Sequence, residues 1–343
     1  MAKGGLGMST SDFDPVKRVG LPGREFQIVP GWPMDLPSDR SYVEVVAAAC
    51  DAAGHVYVFN RGPQAIMVFD PQGQYVRSLS VEPFARPHGI TIAEDGTIYC
   101  VDDFAHQIRV LEPDGSLRMT MGTGQPSDTG ADSVDYRNIA RAGAPFNYPT
   151  NLAIAPNGDL FVTDGYGNAR VHQFSAEGQH RASWGGPGSG PGQFQVPHGI
   201  AIDESGIVYV ADRENSRIQR FDLTGAYLDE WTDVVRPCEV FTTGRGEVYV
   251  AELGERAGRW PGWPPADEHA VGGRVSVFDL QGKLVTRWGD GADPCAPGDF
   301  FAPHDICVGP DGEIYVSEVV WAAGARQGLV SVDCHTIQKF SPT

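Results

Sequence analysis

Three histidines recur at equivalent positions in a repeated segment of the sequence. His88, His198 and His304 each follow a proline and each stand eight residues before a glycine. Three imidazoles that converge on one point, with a fourth coordination position left open, are typical of a catalytic metal site. We therefore predict that these histidines bind a metal ion. Three histidines without a thiolate suit Zn²⁺ best, although other divalent first-row metals fit the same ligands.

Three further copies of the segment keep this spacing but lack the histidine. Val46, Thr150 and Cys238 also precede a glycine by eight residues, so six copies exist, with histidine in the second, fourth and sixth. The best-preserved copy, residues 198–231, reads as four strands joined by short turns. One such sheet cannot bury both of its faces alone, whereas six arranged radially can. The predicted fold is all-β, a six-bladed β-propeller.

This fold would bring together histidines that are far apart in the sequence. The repeat register places each of them at the start of an innermost strand, beside the central channel. Because their blades alternate around a ring of six, the three side chains should stand about 120° apart at one height. Cys238 has the same register in blade five, but as a ligand it would break the threefold arrangement. We favour its packing as a small buried residue.

The propeller is expected to form a single domain over residues 24–343, after a flexible lead-in over residues 1–23. The sixth copy ends near Phe340 after about three strands, so the last blade is one strand short. An alternating segment around Phe26 is the candidate for the missing strand. Its pairing in the last blade would close the ring and remove the open edge between the first and last blades.

Two arginines and a tyrosine are predicted on the same face as the histidines. Arg61 and Arg213 stand seven residues after turn glycines, where the second strand of a blade returns to that face. Two guanidinium groups at the rim of a metal-centred channel would grip a substrate carboxylate in bidentate fashion. Tyr166 is a candidate general base, because a nearby cation and guanidinium favour the phenolate form. Packing in a turn is the alternative interpretation of Tyr166.

Asp305 directly follows His304, at a position where the other two copies have glycine. A carboxylate that points into the channel beneath the first metal would bind a hard cation such as Ca²⁺ together with backbone carbonyls. Alternatively, the same carboxylate would orient one of the histidines through a hydrogen bond. The residues themselves leave both interpretations open.

Three long connections are expected on the histidine face, over residues 122–148, 253–273 and 319–336. Long loops on one face are typical of the walls of a binding pocket. Simple surface elaboration is the alternative interpretation.

Composition limits the partners and the location of the protein. The formal net charge of −18 argues against nucleic acids and anionic membranes as partners. No apolar run approaches the roughly 18 residues that cross a membrane, and the first residues lack the apolar core of a signal peptide. The six cysteines form no C-x-x-C pair, which predicts reduced thiols in a cytoplasmic protein.

The repeats are of the NHL type, and residues 161–221 resemble the peptidyl-α-hydroxyglycine α-amidating lyases. The segments that carry the resemblance are VTDGYGNAR at 162–170, PGQFQVPH at 191–198 and VADRENSRIQ at 210–219, extended by PHDI at 303–306 and NRG at 60–62. The resemblance implies a catalytic zinc on the three histidines, with Tyr166, Arg61 and Arg213 lining the site. It also implies a calcium ion held by Asp305 and by backbone carbonyls, which Ile90 and a residue near Ala48 would supply.

The sequence departs from that family in two respects. Gly167, Tyr209 and Arg220 stand where the secreted lyases have half-cystines. We also expect neither an attached copper monooxygenase domain nor a secretion signal. We therefore expect that the protein does not process secretory peptides and that its chemistry acts on a smaller substrate.

These observations predict a zinc-dependent lyase whose partner is a small molecule that bears a carboxylate. The substrate would be a carbinolamide, an N-acyl or N-carbamoyl α-hydroxyglycine-like compound, and the products an amide and an α-oxo acid such as glyoxylate. One alternative is a metal-dependent hydrolase such as a lactonase, in which metal-bound water is the nucleophile. Another is a non-catalytic NHL propeller that binds a protein or ligand, since fold alone does not establish function.

Overall fold

Each repeated segment folds into one antiparallel sheet in the computed structural model, which describes residues 17–33 and 36–343. The chain begins with β1 (Arg18–Leu21) and β2 (Arg24–Val29). Blade one contains β3 (Val45–Cys50), β4 (Val56–Asn60), β5 (Ile66–Phe69) and β6 (Tyr75–Ser78). Blade two contains β7 (Pro87–Ile92), β8 (Ile98–Asp102), β9 (Gln107–Leu111) and β10 (Leu117–Met121). Blade three contains β11 (Pro149–Ile154), β12 (Leu160–Asp164), β13 (Arg170–Phe174) and β14 (His180–Trp184).

The remaining three blades follow the same order. Blade four contains β15 (Pro197–Ile202), β16 (Val208–Asp212), β17 (Arg217–Phe221) and β18 (Tyr227–Trp231). Blade five contains β19 (Pro237–Thr243), β20 (Glu247–Glu252), β21 (Arg274–Asp279) and β22 (Leu284–Gly289). Blade six contains β23 (Pro303–Val308), β24 (Ile314–Glu318) and β25 (Ile337–Pro342), together with β2 and β1. The predicted six-bladed propeller is therefore confirmed.

Short helical segments lie in the connections between strands. They are α1 (Val320–Ala323) and the 3₁₀ turns Tyr136–Asn138, Arg213–Asn215 and Ala325–Gln327. Within residues 17–33 and 36–343, no helix combines the length and the apolar character that a membrane crossing requires.

The repeat spacing has a simple backbone cause. In every blade the first two strands are joined by a tight turn, and its glycine has φ between 77° and 91°. That conformation is easy for glycine and costly for residues with a Cβ atom. The glycine therefore marks the same turn in all six copies, and counting eight residues back from it reaches the start of the innermost strand. These innermost strands (β3, β7, β11, β15, β19 and β23) contact one another in a closed ring.

The ring closes through the N-terminal strand, as predicted. Strand β2 pairs antiparallel with β25, with Ile28 opposite Phe340. Strand β1 adds a fifth strand to this blade, because the turn at Gly23 folds the chain back so that Val19 lies opposite Phe26. The predicted lead-in over residues 1–23 thus extended too far along the chain, since residues 18–21 belong to the sheet. Residues 1–16 lie outside the described residues.

Phe26 is expected to be a main contributor to the stability of this closure. Its side chain is fully buried, and its ring centroid lies 5.3 Å from that of Trp288 in blade five. Replacing Phe26 with Ala should lower the free energy of unfolding by about 3–5 kcal/mol, because it removes buried apolar surface and leaves a cavity. Urea denaturation followed by tryptophan fluorescence measures this loss. Leu21→Ala is the control, because the Leu21 side chain is 44% exposed. Equal stability of the two variants would contradict the role of Phe26.

The cysteines differ from the prediction. Cys295 and Cys334 form a disulfide that joins the loop before β23 to the connection over residues 319–336. The prediction of reduced thiols is therefore wrong for this pair, whose partners lie 39 residues apart and carry no recognisable spacing motif. Because disulfides persist mainly in oxidising compartments, the pair removes one ground for the predicted cytoplasmic location. Four cysteines are free, namely Cys50, Cys100, Cys238 and Cys307.

Candidate metal centre

The three predicted histidines meet at the axis of the propeller. Their ring centroids are 4.9 Å apart for His88 and His198, 4.8 Å for His88 and His304, and 4.7 Å for His198 and His304. All three side chains are buried, and a potential ligand nitrogen of each lies within 4.8 Å of the others. The start of an innermost strand in alternate blades is thus a position from which three imidazoles can face one another.

The blades without histidine orient those imidazoles. Each histidine ring places Nδ1 at hydrogen-bond distance from the backbone carbonyl of the equivalent residue in the following blade. The contacts are His88 to Thr150 (2.7 Å), His198 to Cys238 (2.9 Å) and His304 to Val46 (2.8 Å). Since a carbonyl oxygen only accepts, Nδ1 must carry the proton and Nε2 keeps its lone pair. Metal-binding histidines are typically fixed in this way.

Burial keeps these imidazoles neutral. It lowers the pKa of His88 and of His198 well below the usual value, and lowers that of His304 to about 3. Neighbouring positive charges, Arg61 among them, act in the same direction. A neutral imidazole with a free Nε2 lone pair is the form that binds a metal. The three side chains therefore fit a Zn²⁺ ion in both donor type and protonation state.

The Tyr166 hydroxyl reaches the same point. Its oxygen lies 3.0 Å from Nε2 of His198, 3.3 Å from Nε2 of His88 and 3.3 Å from Nη1 of Arg213. The turn that carries Tyr166 packs closely against blade four, because a Cβ atom on Gly165 would lie only 2.3 Å from the carbonyl oxygen of Pro197. A phenol oxygen, two imidazole nitrogens and a guanidinium thus converge at one point.

Both predicted arginines lie at the site, but each is paired with a carboxylate. Nη1 of Arg61 donates to Glu44 at 2.6 Å, and its Nε donates to the carbonyl of Pro87 at 3.0 Å. Nε of Arg213 donates to Glu214 at 2.8 Å. In the described part of the chain, Nη2 of neither guanidinium has a hydrogen-bond partner. Each arginine therefore retains donors for an anionic ligand.

A third arginine was not predicted from the sequence. The guanidinium carbon of Arg86 lies 5.5 Å from the Tyr166 ring centroid and 3.8 Å from that of Phe104. Its Nε donates to the buried Asp103 carboxylate at 2.8 Å. The position of Arg86, two residues before His88, was the only indication in the sequence. A single arginine in one copy of a repeat does not by itself predict a site residue.

Two of the long connections meet beside Tyr166 and Arg213. The ring centroids of Tyr136 and Trp260 are 5.2 Å apart, and Arg137 donates to the carbonyl of Pro261 at 3.0 Å. The Arg213 guanidinium carbon lies 5.8 Å from the Trp260 ring centroid. The connections over residues 122–148 and 253–273 therefore form a wall at the site, as predicted.

The third connection contacts a carboxylate that is paired with one of the site arginines. The backbone N–H of Ala322, in α1, donates to Oε1 of Glu44 at 2.6 Å. The other oxygen of Glu44 accepts from Arg61. Glu44 thus links the connection over residues 319–336 to a site arginine.

Comparison with known proteins assigns the chain to a family. Residues 146–174 and 194–221 match the NHL repeat. A probable peptidyl-α-hydroxyglycine α-amidating lyase from Caenorhabditis elegans is 32% identical over 269 residues, which cover 75% of this chain and 67% of that protein. The chain belongs to the peptidyl-α-hydroxyglycine α-amidating lyase family.

Other relatives of this chain are considerably longer. Peptidyl-glycine α-amidating monooxygenase from Mus musculus is 30% identical over 286 residues, which cover 80% of this chain but 27% of that protein. The chain spans about a quarter of the length of the first curated relatives it matches, from 24% to 29%. Among solved structures, a gluconolactonase from Xanthomonas campestris superposes with a TM-score of 0.60 at 13% identity, covering 93% of this chain and 90% of that one. This likeness to the gluconolactonase structure shows a shared fold alone.

A second polar layer lies one residue beyond the histidine register of this amidating-lyase fold. Asn151, Glu239 and Asp305 are buried and line one cavity of about 850 Å³, together with Ile90 and Ala48. Nδ2 of Asn151 donates to Oε2 of Glu239, and the Ala48 N–H donates to Oδ1 of Asp305 at 3.2 Å. The predicted calcium-site residues therefore share a cavity with a second carboxylate, Glu239, that was not predicted.

Glycine at two copies makes room for these side chains. A Cβ atom on Gly199 would lie 2.5 Å from Oε1 of Glu239, and one on Gly89 would lie 2.5 Å from Oδ1 of Asn151. Each junction thus combines a glycine with a large polar residue of the following blade. Glu239 was not predicted because its copy of the repeat has Cys238 in place of the histidine.

The two carboxyl groups affect each other. Burial raises the pKa of Glu239 well above its usual range, and the nearby Asp305 raises it further. Burial also raises the pKa of Asp305 to about 7. The electrostatic cost of burying two neighbouring carboxylates is removed either by protonation or by binding of a divalent cation. Carboxylate, amide and backbone oxygens are the donors that Ca²⁺ prefers, so the residues of this layer fit that ion.

Proposed function

We propose that this protein is a metal-dependent lyase that cleaves an α-hydroxyglycine-like carbinolamide into an amide and an α-oxo acid such as glyoxylate. The observation that carries the proposal is the position of the Tyr166 hydroxyl, within hydrogen-bond distance of two histidine Nε2 atoms and of Arg213. The family membership supports a lyase of this type. The nitrogen of the proposed substrate carries an N-acyl or N-carbamoyl group.

His88, His198 and His304 would hold Zn²⁺, supported by their neutral imidazoles and fixed Nδ1–H groups. A zinc ion bound there supplies Lewis acidity, which lowers the pKa of a hydroxyl group beside it. Asp305 and Glu239, with backbone oxygens, would hold Ca²⁺ deeper in the channel.

The residues of the chain would then transfer one proton while two electron pairs shift within the substrate. Arg61 and Arg213 hold the substrate carboxylate through their remaining donors, and Tyr166 takes the proton of the substrate hydroxyl. The O–H electron pair forms the carbonyl of the oxo acid while the C–N bond breaks. The departing amide nitrogen takes a proton back from Tyr166. No water is consumed, so the reaction is an elimination rather than a hydrolysis.

Product analysis tests this proposal. The zinc-loaded protein, incubated with N-benzoyl-α-hydroxyglycine, should release benzamide and glyoxylate in equal amounts, faster than the spontaneous breakdown measured without protein. Glucono-δ-lactone is the companion substrate for the lactonase alternative. Turnover of the lactone alone would favour the hydrolase, and turnover of neither compound would favour a non-catalytic binding propeller.

A further inference from the structure

Two cysteines that the proposed chemistry does not use face each other across the seam of the ring. Cys50 ends β3 and Cys307 lies in β23, and their Sγ atoms are 3.7 Å apart although 257 residues separate them. Strands β3 and β23 are the innermost strands of the first and last blades. The thiol pair therefore lies at the junction between the first and last blades, between two innermost strands.

We propose that Cys50 and Cys307 are an oxidation site, at which a disulfide joins the first blade covalently to the last. The inference is independent of the proposed lyase activity. In the described part of the chain, Cys50 and Cys307 are the two free cysteines whose sulfurs are within contact distance. Bond formation needs the sulfurs to approach from 3.7 Å to about 2.05 Å, a movement within the reach of side-chain rotation.

The two thiols differ in exposure, and this sets the order of events. Cys50 is half-buried, whereas Cys307 is only 3% exposed, and both line the cavity of about 850 Å³ in the channel. A small disulfide oxidant that enters this cavity meets Cys50 first. The Sγ atom of Cys307 lies 3.7 Å from that of Cys50, so Cys307 is placed to resolve the mixed disulfide.

The chemistry is ordinary thiol–disulfide exchange. The Cys50 sulfur, having given up its proton, attacks one sulfur of an oxidised glutathione molecule and releases the other half as a thiolate. The Cys307 sulfur then attacks Cys50, forms the intramolecular bond and releases the second half. Two protein thiols lose two electrons and two protons, and one disulfide oxidant becomes two thiols.

The product would strengthen the seam. Before oxidation, the ring closes through hydrogen bonds between β2 and β25 and through packing between blades. A covalent bond between innermost strands would add a constraint near the axis. It would also restrict the unfolded chain, because it closes a loop of 257 residues. The oxidised protein should therefore unfold at higher denaturant concentration.

The test is oxidation of the full chain with oxidised glutathione, followed by non-reducing peptide mapping and urea denaturation. The wild-type protein should yield a peptide pair linked through Cys50 and Cys307, and its unfolding midpoint should rise. Cys307→Ser should instead accumulate a stable glutathione adduct on Cys50. Cys50→Ser should yield neither product, and oxidation should not shift its midpoint.

The Cys295–Cys334 disulfide serves as an internal control, since its peptide pair should be recovered in all three proteins. The proposal would be overturned if wild-type Cys50 kept its glutathione adduct or stayed unmodified under conditions that modify Cys307→Ser. A cross-linked protein with an unchanged midpoint would overturn the stabilising role of the bond. Neither outcome would bear on the lyase activity, which product analysis measures separately.

Discussion

Replacing Tyr166 with Phe is expected to lower kcat by about 10²–10⁴-fold, the usual contribution of a positioned acid–base group. The change removes one oxygen atom, the one that lies 3.0 Å from Nε2 of His198 and 3.3 Å from Nη1 of Arg213. Without that oxygen, no group at this position can accept the substrate proton or return it to the leaving nitrogen. Steady-state kinetics with N-benzoyl-α-hydroxyglycine measures the effect.

The metal content of the same variant separates a catalytic role from a structural one. The histidine Nδ1 atoms bind backbone carbonyls rather than Tyr166, so zinc content should remain at the wild-type level. Tyr148→Phe is the matched control, because the Tyr148 ring packs against His106 and Phe104, at centroid distances of 4.5 Å and 5.6 Å, rather than against the three histidines. Parallel loss of zinc and turnover in Tyr166→Phe would eliminate the role of Tyr166 as a base.

Replacing His198 with Ala is expected to abolish zinc binding and, with it, turnover above background. The variant loses one of three ligands, and altering even an outer partner of a metal ligand typically costs 10–100-fold in affinity, so the loss should exceed about 100-fold. Elemental mass spectrometry on protein purified without a histidine tag gives the metal content per chain. About one zinc in the wild type and a small fraction of one in the variant is the expected result.

Two neighbouring variants sharpen this experiment. Cys238→Ala should keep its zinc, because Cys238 orients His198 through its backbone carbonyl while burial raises the pKa of its thiol to about 11. Glu239→Gln should keep zinc and lose calcium, because it removes one negative charge from the Glu239–Asp305 pair. Loss of zinc in Cys238→Ala would make the thiol a ligand. Absence of any transition metal from the wild type would remove the main support for an enzyme.

Part of the site could be predicted because the repeats are regular. In an amidating-lyase-family propeller every copy obeys one geometry, so a residue's position relative to its turn glycine places it in the ring. The six turn glycines have nearly the same φ, and that uniformity makes the count reliable. This count places His88, His198 and His304, together with Tyr166 and the two arginines, on one face of the propeller.

The spacing within each repeat does not predict which residues of neighbouring blades contact each other. The carbonyl of Val46 orients His304 across 258 residues, and that contact exists only once the ring has closed. Cys50 and Cys307 meet for the same reason, although neither has a spacing motif.

The sequence by itself therefore determined the blades, their number and the three inward-facing histidines, because these depend on a local turn geometry repeated six times. Tertiary structure alone decided the protonation geometry of the histidines, the carboxylate partners of the arginines, the Glu239–Asp305 pair and both cysteine pairs. Each of these depends on the distance between side chains from segments that are far apart in the chain. Such distances are set by packing between blades and by the N-terminal strand that closes the ring.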